Sequence, residues 1–131
     1  MEKLQGQATS NVCSIAQKGA VAALNGPQDS IAEMVAAFKR RRDMALAEIA
    51  TWEGVKCPKP DGAFYLFIDI NGVPGGSDDL AVCTRLLEEA HVATVPGAEF
   101  GVKGCLRMSY AVSDEVLMDA LSRIRKVLFN K

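Results

Sequence analysis

The 131-residue sequence predicts an α/β domain in which one small sheet of about four strands packs against helices. Helical and strand patterns follow one another in the order helix, helix, strand, strand, helix, strand, strand, helix. Hydrophobic residues make up 49% of the chain and charged residues 24%, which is ordinary for a protein that builds a core. The length fits one domain of this kind.

The first element predicted is a helix over SNVCSIAQKGAVAAL, residues 10–24. Ser10 or Asn11 is the expected N-cap, and the following Asn-Gly-Pro predicts the end of the helix. Its middle is rich in Ala and Gly and carries few charges. Nearly all of its faces therefore need close neighbours.

A second, longer helix is predicted from Ser30 to about Gly54. Ser30 and Glu33 have the spacing of a capping box, and apolar residues recur at helical intervals after them. A helix of this length is roughly 35 Å long and would form a spine for the domain. The basic run at 39–42 is interpreted as its polar side.

Two extended segments follow, separated by a Pro-Asp-Gly turn. Pro58 and Pro60 place the first segment at a sheet edge, and residues 63–70 form the second strand. A third helix is predicted with Ser77 as its N-cap, with Asp78 and Asp79 at its positive end, and with its C-terminus near His91.

The strand HVATVPG then leads through a loop to the strand GCLRMSYA, residues 104–111, and Ser113 caps a last helix. Alternation along residues 104–111 places Leu106, Met108 and Tyr110 on one face and Arg107 on the other, among small residues. Room around a guanidinium favours an anion site. The alternative is an arginine that points to water from an edge strand.

Composition narrows the classes of function. Fifteen basic and sixteen acidic side chains give a net charge of -1, which provides no overall field for nucleic acid or anionic lipid. The sequence contains neither an apolar segment of membrane-spanning length nor a signal peptide, so we expect a cytoplasmic protein. Four widely spaced cysteines and a single histidine predict free thiols and no metal site.

Five strings in this order, QATSNVCSIAQ, the long helix with RRRD, PDGAFYLFIDI, VATVPGAEFG and LRMSYA, resemble the C-terminal part of an aspartate-type aminotransferase. The family is the fold type I group that depends on pyridoxal phosphate, and the resemblance covers nearly all of the chain. It implies that residues 1–28 are the terminal segment of a cofactor-binding large domain and that residues 29–131 are the C-terminal small domain. The N-terminal helix would then belong to the large domain.

The resemblance implies roles for four residues. Arg107 matches the arginine that binds the substrate α-carboxylate, and Phe64 matches an aromatic residue that lines the active site. Ser10 and Asn11 match a loop that reaches the neighbouring subunit's site in the family's homodimer, although a plain N-cap explains them equally well. In one subgroup an arginine four positions before this serine binds a distal carboxylate. Gly6 stands there in this sequence, so a dicarboxylate substrate is not implied.

The family's Schiff-base lysine lies in an S-x-S-K-like context, and no lysine of this sequence has that setting. The expected protein is therefore a portion of a pyridoxal-phosphate enzyme that transfers an amino group between an amino acid and a 2-oxo acid. By itself this chain is expected to bind no cofactor, to contain no catalytic residue and to be inactive. The alternative is a free-standing α/β module that binds a small carboxylate and regulates a partner.

Overall fold

A computed structural model of the chain describes residues 1–129, and these residues divide into two compact units. The first unit spans Met1–Met34, and the second begins at Val35. The α/β class predicted from the sequence is confirmed, with five helices and one small sheet. Within residues 1–129, no helix combines the length and the apolar character needed to cross a membrane.

The first unit contains α1, Glu2–Ala8, and α2, Ser14–Asn25. The sequence did not predict α1. The prediction of Ser10 or Asn11 as N-cap of α2 was wrong, because the helix begins after Cys13 and Ser10 adopts a left-handed φ of 55° in the turn before it. Among the described residues of this unit, no side chain is buried.

The long helix α3 spans Asp29–Ile49, and the division between the two units falls within it. It starts one residue before the predicted capping serine, so Ser30 lies inside the helix and not at its cap. The basic run is also more engaged than a solvated face: Arg40 and Arg41 both contact Asp114, and Arg42 contacts Asp43. Ala45 and Ile49 bury the end of the helix in the core.

The sheet of the second unit has three antiparallel strands in the order β1-β3-β2. These are β1, Tyr65–Asp69; β2, Val95–Pro96; and β3, Cys105–Ser109. About four strands were predicted. The segment before Pro58 and Pro60 contributes a single bridge, Lys56 to Asp69, because prolines lack the N–H that a ladder needs.

Helices α4, Asp79–Ala90, and α5, Asp114–Phe129, complete the second unit. The N-cap of α4 is Asp78, whose carboxylate accepts a hydrogen bond from Ala81 N at 3.0 Å, so the prediction of Ser77 was one residue early. The predicted C-terminus of α4 and the predicted N-cap of α5 are confirmed. His91 ends α4 in a left-handed conformation, and the Ser113 hydroxyl accepts from Val116 N at the start of α5.

The core lies on one face of the sheet. The buried residues of β1 and β3 pack with those of the helices in one cluster. Its largest fully buried side chains are Ile49, Leu66, Ile68, Ile70, Leu86, Leu106, Leu117, Leu121 and Ile124. Burial of this face fixes the strand register, because a slip of one residue would exchange the two faces. The opposite face is left for the side chains that alternate with the core positions.

Candidate functional site

Arg107 lies in the middle of β3, which is the central strand of the sheet. Phe67 of β1 is directly opposite it on one side, and Val95 of β2 is opposite it on the other. The alternative placed Arg107 on an edge strand, and that position is wrong because β3 is paired on both sides at this residue. Cross-strand partners share a face, so Arg107 stands with Tyr65 and Phe67 on the side of the sheet away from the core.

Two aromatic rings contact the guanidinium. Its Cζ lies 4.5 Å from the ring centroid of Tyr65 and 4.4 Å from that of Phe100, so a ring covers the cation on either contact. Phe67 in turn meets Phe100 edge to face, with 6.2 Å between the centroids. Cation–π contacts of this kind hold a guanidinium in place and leave its N–H edge uncovered.

No carboxylate neutralises Arg107 within the described part of the chain. It forms none of the ion pairs or side-chain hydrogen bonds found among residues 1–129. Arg123 Nε is the one buried side-chain nitrogen or oxygen without a partner in these residues, so the unpaired nitrogens of Arg107 still reach solvent. A fixed, partly buried guanidinium with unused donors is suited to a planar anion that accepts two parallel hydrogen bonds.

Asp69 is the acidic residue of β1 on the same face of the sheet as Arg107. Its carboxylate is hydrogen-bonded within its own turn. Asn71 donates to Asp69 Oδ1 from its backbone N and from Nδ2, both at 2.9 Å. These two hydrogen bonds lower the pKa of the Asp69 carboxyl, the backbone one most. The carboxylate is thus stabilised by Asn71 and leaves Arg107 available.

Phe64 lies just before β1 and is 40% exposed. Its ring is tilted against that of Tyr65, with 4.4 Å between centroids, and its carbonyl accepts a hydrogen bond from Tyr110 N. Tyr65 contacts both Phe64 and Arg107, so a single aromatic ring separates these two side chains. This position is compatible with an aromatic residue that lines a ligand site, and its role stays a prediction.

Ser10 and Asn11 lie in the turn between α1 and α2, and both are exposed. They belong to the first unit, which is described by itself. Their predicted role at a neighbouring subunit's site stays a prediction.

Sequence reasoning missed the part that Asp79 plays. It was assigned only to the positive end of a helix, whereas its side chain is buried, with 4% exposed, in the first turn of α4. One oxygen, Oδ2, accepts from Ala98 N at 3.0 Å and from Gly104 N at 3.1 Å. The sequence did contain a signal for this role. Only one of two consecutive aspartates can be the N-cap, so the other must have a different role.

These features define a small α/β domain with an unpaired arginine on the open face of its sheet. Comparison with known proteins identifies the family: the chain belongs to the aminotransferases of class I and II, whose family model matches residues 1–124. The resemblance inferred from the sequence is confirmed.

Individual relatives agree with the family assignment. An aspartate/prephenate aminotransferase of Cereibacter sphaeroides is 47% identical over 95% of this chain, which covers 33% of that protein. The crystal structure of the aspartate aminotransferase from Rhizobium meliloti matches 95% of the chain with 43% identity and a TM-score of 0.84, and 33% of that structure is covered. An aromatic aminotransferase from Pyrococcus horikoshii matches 98% of the chain, and 35% of its own, with 30% identity and a TM-score of 0.86. The chain thus spans about a third of the length of the relatives it matches.

That this chain alone binds no pyridoxal phosphate stays a prediction, and the exposure of its lysines bears on it. A lysine that binds such a cofactor covalently needs an activated amine, which proteins obtain by desolvation or by a neighbouring cation. Every lysine among residues 1–129 is exposed. The same residues contain no group of three or more His, Cys, Asp or Glu side chains arranged for a metal ion.

Proposed function

We propose that this chain is the C-terminal small-domain portion of a pyridoxal-phosphate-dependent aminotransferase and that Arg107 binds the α-carboxylate of its amino acid and 2-oxo acid substrates. The observation that carries the proposal is the guanidinium in contact with the rings of Tyr65 and Phe100 and with no acidic partner among the described residues. Membership of the family supplies the reaction class.

The chemistry of the site fits a carboxylate well. Two rings contact the guanidinium, its nitrogens have no hydrogen-bond partner among the described residues, and two parallel N–H groups of a guanidinium match two carboxylate oxygens. Such a pair fixes the orientation of the substrate as well as its charge. Orientation matters for rate, because proton removal from the substrate Cα requires the breaking bond to be held in a defined direction.

The relatives differ in the side chains of the substrates for which they are named. One is named for aspartate and prephenate and another for aromatic amino acids. A carboxylate next to the reacting amino or 2-oxo carbon is common to all of these substrates. Arg107 is therefore assigned to the shared part of the substrate, and the side-chain preference of this protein is left to other residues.

The proposal places the remaining machinery outside this sequence. The cofactor, which supplies electron withdrawal from the substrate Cα when bound, would be held by residues of a longer protein. Phe64 would line the substrate site, and Ser10 and Asn11 would reach the site of the second subunit in a homodimer. We assign the parent protein to the cytoplasm, as the sequence predicts.

The test uses the natural protein that carries residues 1–131, assayed for amino transfer from a panel of amino acids to 2-oxoglutarate. Arg107→Leu should raise KM and lower kcat/KM by an equivalent of roughly 2–5 kcal/mol, the cost of losing one partner of a desolvated charge pair. Asp119→Asn, which changes a carboxylate on the outer surface of α5, is the matched control and should keep wild-type kinetics.

Two results would contradict the proposal. Kinetics unchanged in Arg107→Leu would remove the role of the arginine. A natural protein that binds small carboxylates through Arg107 but transfers no amino group would instead favour the regulatory binding module.

A further inference from the structure

A buried carboxylate ties together the two ends of the loop that carries Phe100. The loop runs from the 3-10 turn Gly97–Phe100 to Gly104, just before β3. Asp79 Oδ2 accepts from the second residue of this segment, Ala98, and from its last residue, Gly104. The single oxygen therefore closes the segment at both ends.

The backbone of the loop is shaped to present these two amides. Gly104 has a φ of 72°, and a Cβ at this position would collide with the Asn71 side chain, so the conformation requires glycine. Gly101 at φ 80° ends the 3-10 turn and reverses the chain. The carboxylate itself lies in the first turn of α4, where the helix dipole favours a negative charge and offsets the cost of burial.

Phe100 is the side chain that this closed loop delivers to the site. Its ring lies 4.4 Å from the Arg107 guanidinium and meets Phe67 edge to face. Phe100 is about half exposed, so packing alone restrains it weakly. The position of the ring depends on the backbone of its loop, and the loop depends on Asp79.

We propose that Asp79 is a positioning residue for Arg107: it fixes the loop of residues 98–104 so that Phe100 covers the guanidinium and holds it in the plane that a carboxylate needs. The last step, carboxylate binding, rests on the proposed function. The first step, the orientation of Arg107, is a property of the folded chain and is testable without a substrate.

The test is NMR on the isotopically labelled 131-residue chain, with the Arg107 Nε–Hε resonance as the readout. Ring currents from Tyr65 and Phe100 displace this resonance from the position of a free arginine. Asp79→Leu removes the oxygen that accepts from both amides and should move the resonance about halfway back, because the Tyr65 contact remains. Phe100→Leu should cause the same change, and the double variant should show no further change.

Two matched variants separate positioning from a general loss of stability. Asp79→Asn keeps an oxygen that can accept from both amides and should keep the wild-type resonance. Asp78→Ala removes the N-cap of the same helix without touching the loop and should also keep it. If Asp79→Leu does not fold, Asp79→Ala carries the same expectation, since water can reach the two amides of the smaller variant.

The positioning role is overturned if Phe100→Leu moves the Arg107 resonance while the folded Asp79 variant leaves it in place, or if Phe100→Leu has no effect.

A titration with pyruvate, followed on the same resonance, tests the dependent step, which is carboxylate binding. Wild type should respond, and Asp79→Leu should bind roughly threefold to tenfold more weakly. A wild-type chain that does not respond to pyruvate contradicts the proposed carboxylate site, whereas the comparison of the variants without ligand still decides the role of Asp79.

Discussion

At the scale of single residues, the two ring contacts predict that the proposed role of position 107 needs arginine and not merely a positive charge. A guanidinium is flat and weakly hydrated, so it can lie against the rings of Tyr65 and Phe100 and still present two parallel donors. An ammonium is a compact point charge that keeps its water and offers no fixed pair of donors. Arginine can therefore fix the orientation of a bound carboxylate, whereas lysine would supply only its charge.

Arg107→Lys in the natural protein should therefore recover little of what Arg107→Leu loses. We expect the two variants to lie within about tenfold of each other in kcat/KM, with KM raised in both. Steady-state kinetics with one amino acid donor measure this directly. A lysine variant within about threefold of wild type would show that charge alone is sufficient at this position.

The four cysteines are free and differ in exposure, which makes their reactivity a test of the fold. Cys13 is exposed, Cys57 is half-buried, and Cys83 and Cys105 are buried. Burial raises the pKa of the Cys57 thiol to about 11. At pH 8 only on the order of one molecule in a thousand then carries the Cys57 thiolate, against about a quarter for an ordinary cysteine.

Alkylation with iodoacetamide at pH 8 should label Cys13 first and Cys57 on the order of 100-fold more slowly. Peptide mass spectrometry over a time course gives the rate at each position. In 6 M guanidinium chloride all four rates should become similar. Equal labelling of Cys57 and Cys13 in the native chain would contradict the burial of residue 57.

The sequence predicted the face on which Arg107 stands, because strand alternation is a local property. It did not predict the two rings around the guanidinium. Tyr65 reaches Arg107 through the register of β1 on β3, and Phe100 reaches it through a 3-10 turn. Asp79 was missed for a related reason: the backbone amides that donate to its buried carboxylate lie on a loop some 20 residues away.

At the scale of elements, the contact between α3 and α5 is organised by one carboxylate. Asp114 Oδ2 accepts from Arg40 Nε at 2.9 Å, and Oδ1 accepts from Arg41 Nε at 3.0 Å. Hydrogen bonds from Arg40 and then Arg41 hold the pKa of the Asp114 carboxyl below its ordinary value. A lowered pKa in the folded state means that the pairing stabilises the fold at neutral pH and is lost as the pH falls through that pKa.

Asp114→Asn should lower the free energy of unfolding at pH 7, and the difference from wild type should shrink as the pH falls below about 4. Urea unfolding between pH 7 and pH 2.5 measures both. Asp119→Asn is the control, because its partner Arg123 lies on the same helix and an exposed pair of this spacing contributes only about 0.3–0.5 kcal/mol. A pH-independent difference for Asp114→Asn would mean that its charge is not involved.

Element boundaries were predictable where a local signal had no competitor. Ser113 caps α5 and His91 ends α4 as predicted. Prediction failed where two candidates stood side by side, as with Ser77 and Asp78, because the choice depends on which side chain reaches the helix amides. The predicted fourth strand does not form, because the bridge at Lys56 does not extend into a segment with two prolines.

At the scale of the whole molecule, the chain spans about a third of its relatives. Its lysines are exposed within residues 1–129, so we expect the 131-residue chain neither to bind pyridoxal phosphate covalently nor to transfer an amino group. Borohydride treatment with the cofactor, followed by mass spectrometry, tests this. A stoichiometric adduct at one lysine, in place of slow scattered labelling, would contradict the expectation.

The two units of the chain differ in how much of their surface they bury, and this bears on the predicted boundary near residue 28. Every buried residue of the described chain lies at or after Ala45. In the first unit, apolar side chains such as Ile15 and Leu24 are 84% and 80% exposed. The stability of the second unit therefore has no source in buried side chains of residues 1–28.

Deletion of residues 1–28 should leave the thermal unfolding midpoint within about 3 °C of the 131-residue chain, because no side chain of the deleted segment is buried. Ile124→Ala is the control for a real loss of core: truncation of a fully buried isoleucine costs about 2–5 kcal/mol and should lower the midpoint by roughly 10 °C or more. Hydrogen exchange on the undeleted chain gives an independent reading, in which the amides of α2 should exchange far faster than those of β1 and β3. A midpoint that falls by as much as in Ile124→Ala, or protection of α2 equal to that of β3, would show that residues 1–28 are an integral part of the folded domain and that the boundary predicted from the sequence is wrong.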